Sequence, residues 1–261
     1  MKKKTTAFRL AYPLLITLLT YLPIVVVVVY SFNASKLTST WGGFSLKWYT
    51  ALFQDEDMFE ALINSIILAL SSSVLAAMIA TSAALGLRNA RLPGKRMIEQ
   101  ASILPLIIPE IVLGMVFLSF FTLLKFPFGM FTLLLAHTAF CIPYIYTQVR
   151  ARLAVLDFTA IEAARDLGAT GWKAFRTVTL PMLAPAILSG MFLSFAMSFD
   201  DVIISVFCTG VSVNTLPIRV YTQLKTGVTP EINALCTLML AVTILCYLAA
   251  ALLRRKQSRM L

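Results

Sequence analysis

The stretch Glu162-Ala163-Ala164-Arg165-Asp166-Leu167-Gly168, followed after nine intervening residues by Val178-Thr179-Leu180-Pro181, decides how the rest of the chain is read. Taken locally, Thr159-Ala160-Ile161-Glu162 predicts a capping box, with Thr159 and Glu162 satisfying free amides at a helix start. Gly168 predicts the end of that helix. Two features go beyond a capped helix. Ala160, Ala163 and Ala164 keep one helix surface low enough for another protein's backbone to approach. After the turn at Gly168, a second short helix carries Trp172 and Phe175, and Pro181 suits the first turn of a third. Residues 157–181 are therefore expected to form a docking loop.

That loop lies between two long apolar stretches. The chain is 59% hydrophobic and 13% charged, with a mean hydropathy of +0.85. Soluble domains are about half apolar and a quarter charged, so the composition excludes them and predicts an integral membrane protein. Six stretches have the roughly 20 residues that a spanning helix needs: Phe8 to Phe32, Phe59 to Leu87, Ile98 to Leu124, Met130 to Gln148, Met182 to Thr209 and Ile232 to Leu253. The expectation is an all-α, multi-pass protein with six transmembrane helices and one domain, 1–261, with no internal repeat.

A net charge of +10 in a soluble protein would suggest nucleic acid, but its distribution excludes that partner. Basic groups cluster before the first span (Lys2, Lys3, Lys4, Arg9), after the second (Arg88, Arg91, Lys95, Arg96), after the fourth (Arg150, Arg152, Arg165, Lys173, Arg176) and at the carboxy terminus (Arg254, Arg255, Lys256, Arg259). Only Lys36, Lys47, Lys125, Arg219 and Lys225 lie in the intervening loops. The positive-inside rule then puts both termini and the 157–181 loop in the cytoplasm. The first apolar stretch is longer than a signal-peptide core and lacks a small-x-small site, so it is expected to remain as a helix.

Chemistry that this chain does not carry is also legible. Cys141, Cys208, Cys236 and Cys246 lack the paired spacing of a zinc or redox motif. His137 is the sole histidine, so neither a histidine metal cluster nor a Ser-His-Asp triad can be assembled, and there is no phosphate-binding Gly-x4-Gly-Lys-Ser/Thr loop. The chain is expected to bind no metal or cofactor and not to hydrolyse ATP by itself. The Asn33-Ala34-Ser35 sequon reads as chance.

Three acids stand where charge is costly. Glu110 lies about 18 Å along a helix from Ile98, near the middle of the third expected span, flanked by Pro105 and Pro109. Asp200 and Asp201 lie in the outer part of the fifth. Intramembrane carboxylates cost at least about 2.5 kcal/mol each and generally face a partner or an aqueous path. With no Lys or Arg in any span beyond Arg9 at the very edge of the first, Glu110, Asp200 and Asp201 are expected to line a route for an organic cation. The alternative is that the aspartates cap a helix in solvent while Glu110 is protonated or bonded to a neighbouring subunit. In the outer connection 33–58, Trp41, Trp48 and Tyr49 fit either headgroup anchoring or contact with an external binding protein.

The spacing from Glu162 to Pro181 resembles the EAA loop of the membrane subunits of binding-protein-dependent ABC importers. The wider chain resembles the PotC-type permeases of spermidine/putrescine importers, through Trp41-Gly42-Gly43-Phe44, Lys47-Trp48-Tyr49, Pro109-Glu110-Ile111-Val112, His137, Phe140-Cys141-Ile142-Pro143 and Ser198-Phe199-Asp200-Asp201-Val202. Where this chain has Glu110 the family commonly has Asp, which keeps the charge and changes its reach.

The resemblance implies a type I (MetI-like) permease fold in a bacterial inner membrane. It also implies a second homologous permease, a pair of cytoplasmic ATPase subunits that use ATP and Mg, and an extracytoplasmic polyamine-binding protein. Within it, Glu162, Ala163, Ala164, Gly168, Leu180 and Pro181 are expected to couple to the ATPase. Rival readings are an importer of ferric ion or an organophosphonate, an ion-coupled carrier, and an intramembrane enzyme.

Overall fold

A computed structural model describes residues 2–37, 40–211, 213–227 and 229–257; the side chains of 2–10, 89, 226 and 246–257 fall outside the description. The terminal basic groups Lys2, Lys3, Lys4, Arg9, Arg254, Arg255, Lys256 and Arg259, and the thiol of Cys246, are therefore outside it. Lipid offers no partners for backbone amides, so apolar stretches satisfy them internally as helices. In chain order these are α1 (Lys2–Tyr30), α2 (Lys47–Gln54), α3 (Glu56–Asn89), α4 (Lys95–Ile103) with a short 3-10 turn Leu104–Leu106, and α5 (Glu110–Leu123). Then follow α6 (Met130–Val155), α7 (Thr159–Asp166), α8 (Gly171–Ala174) running through a π turn at Phe175–Thr179 into α9 (Leu180–Asp200), α10 (Ile203–Cys208), α11 (Leu216–Thr226) and α12 (Pro230–Gln257).

Among the described residues, four helices are long and apolar enough to cross a membrane: Ala11–Tyr30, Glu56–Arg88, Met130–Val155 and the continuous Gly171–Asp200. The third expected span, Ile98 to Leu124, is not one helix. Lys95–Leu106 and Glu110–Leu123 meet at a bend of 108°. Pro109 has no amide to continue the ladder and pushes Ile108 out of helical geometry. Glu110 thus opens α5 instead of sitting midway along a continuous helix. The fifth expected span also breaks, because α9 ends at Asp200 and α10 is a separate short helix. In α12 the described apolar part is Pro230–Leu245. Among the described residues the six expected crossings resolve into four unbroken helices, one bent pair and this shorter segment.

The chain divides into two compact units. One holds residues up to Phe59 and from Val220 onward, and there α12 packs against α1 and α2. The other, Glu60–Arg219, holds the 157–181 loop and the three acids. Its centre is the seam between α6 and α9. Leu133, Ala136, Phe140, Cys141, Ile145 and Val149 bury one face of α6, recurring at the three- and four-residue steps of a helix. Gly190 lets α9 close on that face, where an added Cβ would stand 2.9 Å from the Ile145 Cα. Ser194 Oγ donates to the Cys141 carbonyl at 3.3 Å, and the Cys141 thiol to the Ser194 carbonyl at 3.5 Å. Lipid is as apolar as leucine, so close contact and interhelical hydrogen bonds hold this seam, with no help from expelled water.

Candidate functional sites: a capped loop and a split pair of acids

The 157–181 loop is built by backbone chemistry. The expected Thr159–Glu162 capping box does not form. The Thr159 amide donates instead to Asp157 Oδ1 at 3.0 Å, and Thr159 is already the first helical residue. This bond and that from the Thr159 hydroxyl hold the Asp157 carboxyl below its usual range. At the other end, the Gly168 amide bonds to the Arg165 carbonyl at 2.9 Å and the Ala169 amide to Ala164 at 3.0 Å, the paired bonds of a Schellman closure. Gly168 sits at φ 85°, which a side chain would strain. Thr170 then caps α8, its hydroxyl accepting from the Lys173 amide, and Pro181 occupies the first turn of α9.

What the loop buries and what it shows are distinct. Phe158 and Ile161 pack on the core, and the Arg88 guanidinium at the end of α3 lies 3.0 Å from the Phe158 ring centre. Glu162, Ala163, Gly168, Leu180 and Pro181 are exposed, with Ala164 half-buried. Leu167 is 90% and Trp172 71% exposed, the indole tilted against Phe175 with ring centres 5.4 Å apart. A cavity of about 420 Å³ lies between Leu85, Arg88, Ile161, Glu162, Arg165 and Phe175. The loop thus presents a small-residue helix with two bare apolar side chains beside it.

The three acids divide by environment. Asp201 departs from the expectation of a pathway acid: it is buried, with Oδ1 accepting from the Ile204 amide at 3.2 Å and Oδ2 from the Ser205 amide at 2.8 Å. It caps α10, and its Oδ2 lies 3.5 Å from His137 Nε2. Asp200, the last residue of α9, is exposed, and Glu110 is half-buried at the start of α5. Among the described residues neither has a hydrogen-bond or ion-pair partner. Glu110 interacts electrostatically with both aspartates and with Tyr144 of α6, so the bend at Pro109 and the break at Asp200 gather carboxylates from two helices in one neighbourhood. Gly114 of α5 lies directly against Phe207 of α10, which fixes their approach. The amide dipoles at the start of α5 favour the Glu110 charge.

His137 and Tyr144 were not singled out for this site by the sequence. Pattern reading sees one helix at a time, and both residues matter through neighbours over sixty positions away or on another helix. His137 is the sole histidine of the chain and lies in a largely apolar helix, and that was the available signal.

The outer segment folds around Asn33, which is fully buried. Its amide nitrogen donates to the Thr40 carbonyl at 2.8 Å, and its oxygen accepts from the Ser35 and Gly42 amides at 3.1 and 2.7 Å. The sequon is thus a turn-organising asparagine whose side chain is fully used. The Trp48 indole donates to the Asn33 carbonyl at 2.7 Å, and the Tyr49 hydroxyl bonds to Ser31 at 2.7 Å. These two expected contact residues are therefore half-buried struts. Trp41, 52% exposed and edge-on to Tyr30, and Phe44, 71% exposed and stacked on Phe32, present aromatic surface outward.

The sequence pattern described as binding-protein-dependent transport system inner membrane component matches residues 76–259. The chain is 37% identical over 238 residues to the spermidine/putrescine transport system permease protein PotC of Haemophilus influenzae, covering 91% of this chain and 93% of that one. To the putrescine transport system permease protein PotI of Escherichia coli strain K12 it is 40% identical over 247 residues, covering 92% and 88%. Among solved structures it resembles a chain of a bacterial ABC transporter importing the acidic polysaccharide alginate, with a TM-score of 0.70 at 14% identity over 98% of this chain and 97% of that one. It also resembles a chain of the MetNI methionine ABC transporter, with a TM-score of 0.59 at 18% identity over 75% and 95%.

Proposed function

The chain belongs to the binding-protein-dependent transport system inner membrane component family, as a multi-pass ABC importer permease of all-α, MetI-like fold, and from that premise we propose that its cargo is a polyamine. The observation that carries this reading is that Glu110 and Asp200, two electrostatically interacting carboxylates at helix breaks, form no ion pair with a Lys or Arg among the described residues. An ammonium group compensates such charges, whereas an anionic cargo meets repulsion. The relatives named for spermidine and putrescine transport point the same way.

In this reading the subunit is non-catalytic. It forms half of the pathway with a second homologous permease and receives amine from an extracytoplasmic binding protein, with Trp41 in the contact surface. Its termini and 157–181 loop face the cytoplasm, where an ATPase pair consumes ATP with Mg. The α7 surface of Glu162, Ala163 and Ala164, with Leu167 and Trp172 beside it, seats in a groove of that ATPase. The Gly168 closure and the helical continuity from α8 through α9 then carry the ATPase movement to Asp200. The test is reconstitution with the second permease, ATPase and binding protein, measuring ATP turnover and uptake of labelled spermidine and putrescine. Amine-stimulated turnover supports the reading; stimulation by ferric ion or a phosphonate in place of amine overturns it.

A further inference from the structure

We propose that His137 is a positioning residue for the amine pathway: it braces the break between α9 and α10, and so sets where Asp200 stands. The inference rests on the polyamine reading above and adds the device by which one acid of the pair is aimed.

The imidazole is fully buried, and both ring nitrogens are engaged. Nδ1 lies 2.7 Å from Ser198 Oγ on α9, and Nε2 lies 3.0 Å from Ser205 Oγ on α10 and 3.5 Å from Asp201 Oδ2. Ser198 is two residues before Asp200, and Ser205 is in the helix that follows the break, so one ring on α6 spans both sides. Ser72 of α3 backs Ser198 at 3.1 Å. With the ring proton on Nε2, facing the carboxylate, Nδ1 accepts from the Ser198 hydroxyl and no group is left unmatched. Asp201 is extended, ψ 124°, and without the brace rotation there would swing the end of α9. A buried polar network that is fully satisfied fixes one geometry. A ring needed only to fill space at this depth would be better apolar, since polar groups in lipid require partners.

Two substitutions separate bracing from bulk. His137→Gln can place an amide donor near the Nε2 position and keep the link to Ser205 and Asp201. His137→Asn mimics the Nδ1 side and loses that reach. In the reconstituted complex H137N raises KM for spermidine roughly ten-fold, the effect of one lost charge-assisted hydrogen bond, with Vmax changed less, while H137Q stays close to wild type. In a D200N background H137N adds little further, because residues acting through one another are non-additive. Equal KM values for H137N and H137Q, or full additivity with D200N, overturn the proposal. If H137N does not assemble, Ser205→Ala takes its place, expected to raise KM in the same direction; an unchanged KM there overturns it equally. A wild-type complex that takes up no amine sinks the polyamine reading itself, a separate outcome.

Discussion

Adjacent side chains can sit in opposite environments, and Asp200, exposed, and Asp201, buried, do. Asp200→Asn and Glu110→Gln are expected to lower amine uptake several-fold while the subunits still co-purify, because neither carboxylate holds any part of the fold. Unchanged uptake in both variants would remove the acids from the pathway. Asp201→Ala is expected to act on stability instead. It strips the cap from α10, typically about 1–2 kcal/mol, and leaves His137 without its carboxylate, so the solubilised complex should melt at lower temperature while D200A does not shift it. The sequence made all three acids visible through their cost in an apolar setting. It did not divide them, because the division comes from two amides of α10 and an imidazole 64 positions away, contacts that local spacing does not encode. Asp157 was missed for a related reason: Thr159 and Glu162 fit the capping pattern, and the carboxylate two residues earlier took the amide first.

Helix ends in this protein are set where the backbone runs out of options, and the elements follow. Gly168→Val forces a side chain into the left-handed region, a strain of about 1–2 kcal/mol applied where the Schellman closure turns the loop. ATP turnover that continues while uptake falls is the expected result, read by measuring both on one preparation; normal coupling would count against the loop as the transmission point. Gly190→Leu should act differently, parting α6 from α9 at Ile145 and reducing the amount of assembled protein in the membrane. The long helices were legible because lipid leaves no alternative to them. The bend at Pro109 was only half legible: both prolines were visible, but a proline can kink a helix or end it, and the choice depends on what packs against the freed carbonyls. The Trp48 and Tyr49 struts were hidden because aromatic residues near a membrane surface look alike whether they face a partner or hold a turn.

At the scale of the whole molecule, the proposed importer separates energy supply from pathway. Purified alone in vesicles it is expected to move no amine under any ion gradient, and to gain uptake only with its second permease, ATPase and binding protein; transport by the solitary subunit would overturn the importer reading. The unpartnered surfaces of Leu167 and Trp172 have a consequence outside transport. In the proposed assembly, a copy synthesised in excess of the ATPase would carry an oily knob into water on a loop otherwise rich in charge, the kind of feature that chaperones and proteases recognise. In that assembly the same few side chains would police stoichiometry: silent when occupied, and when bare a mark of the orphan.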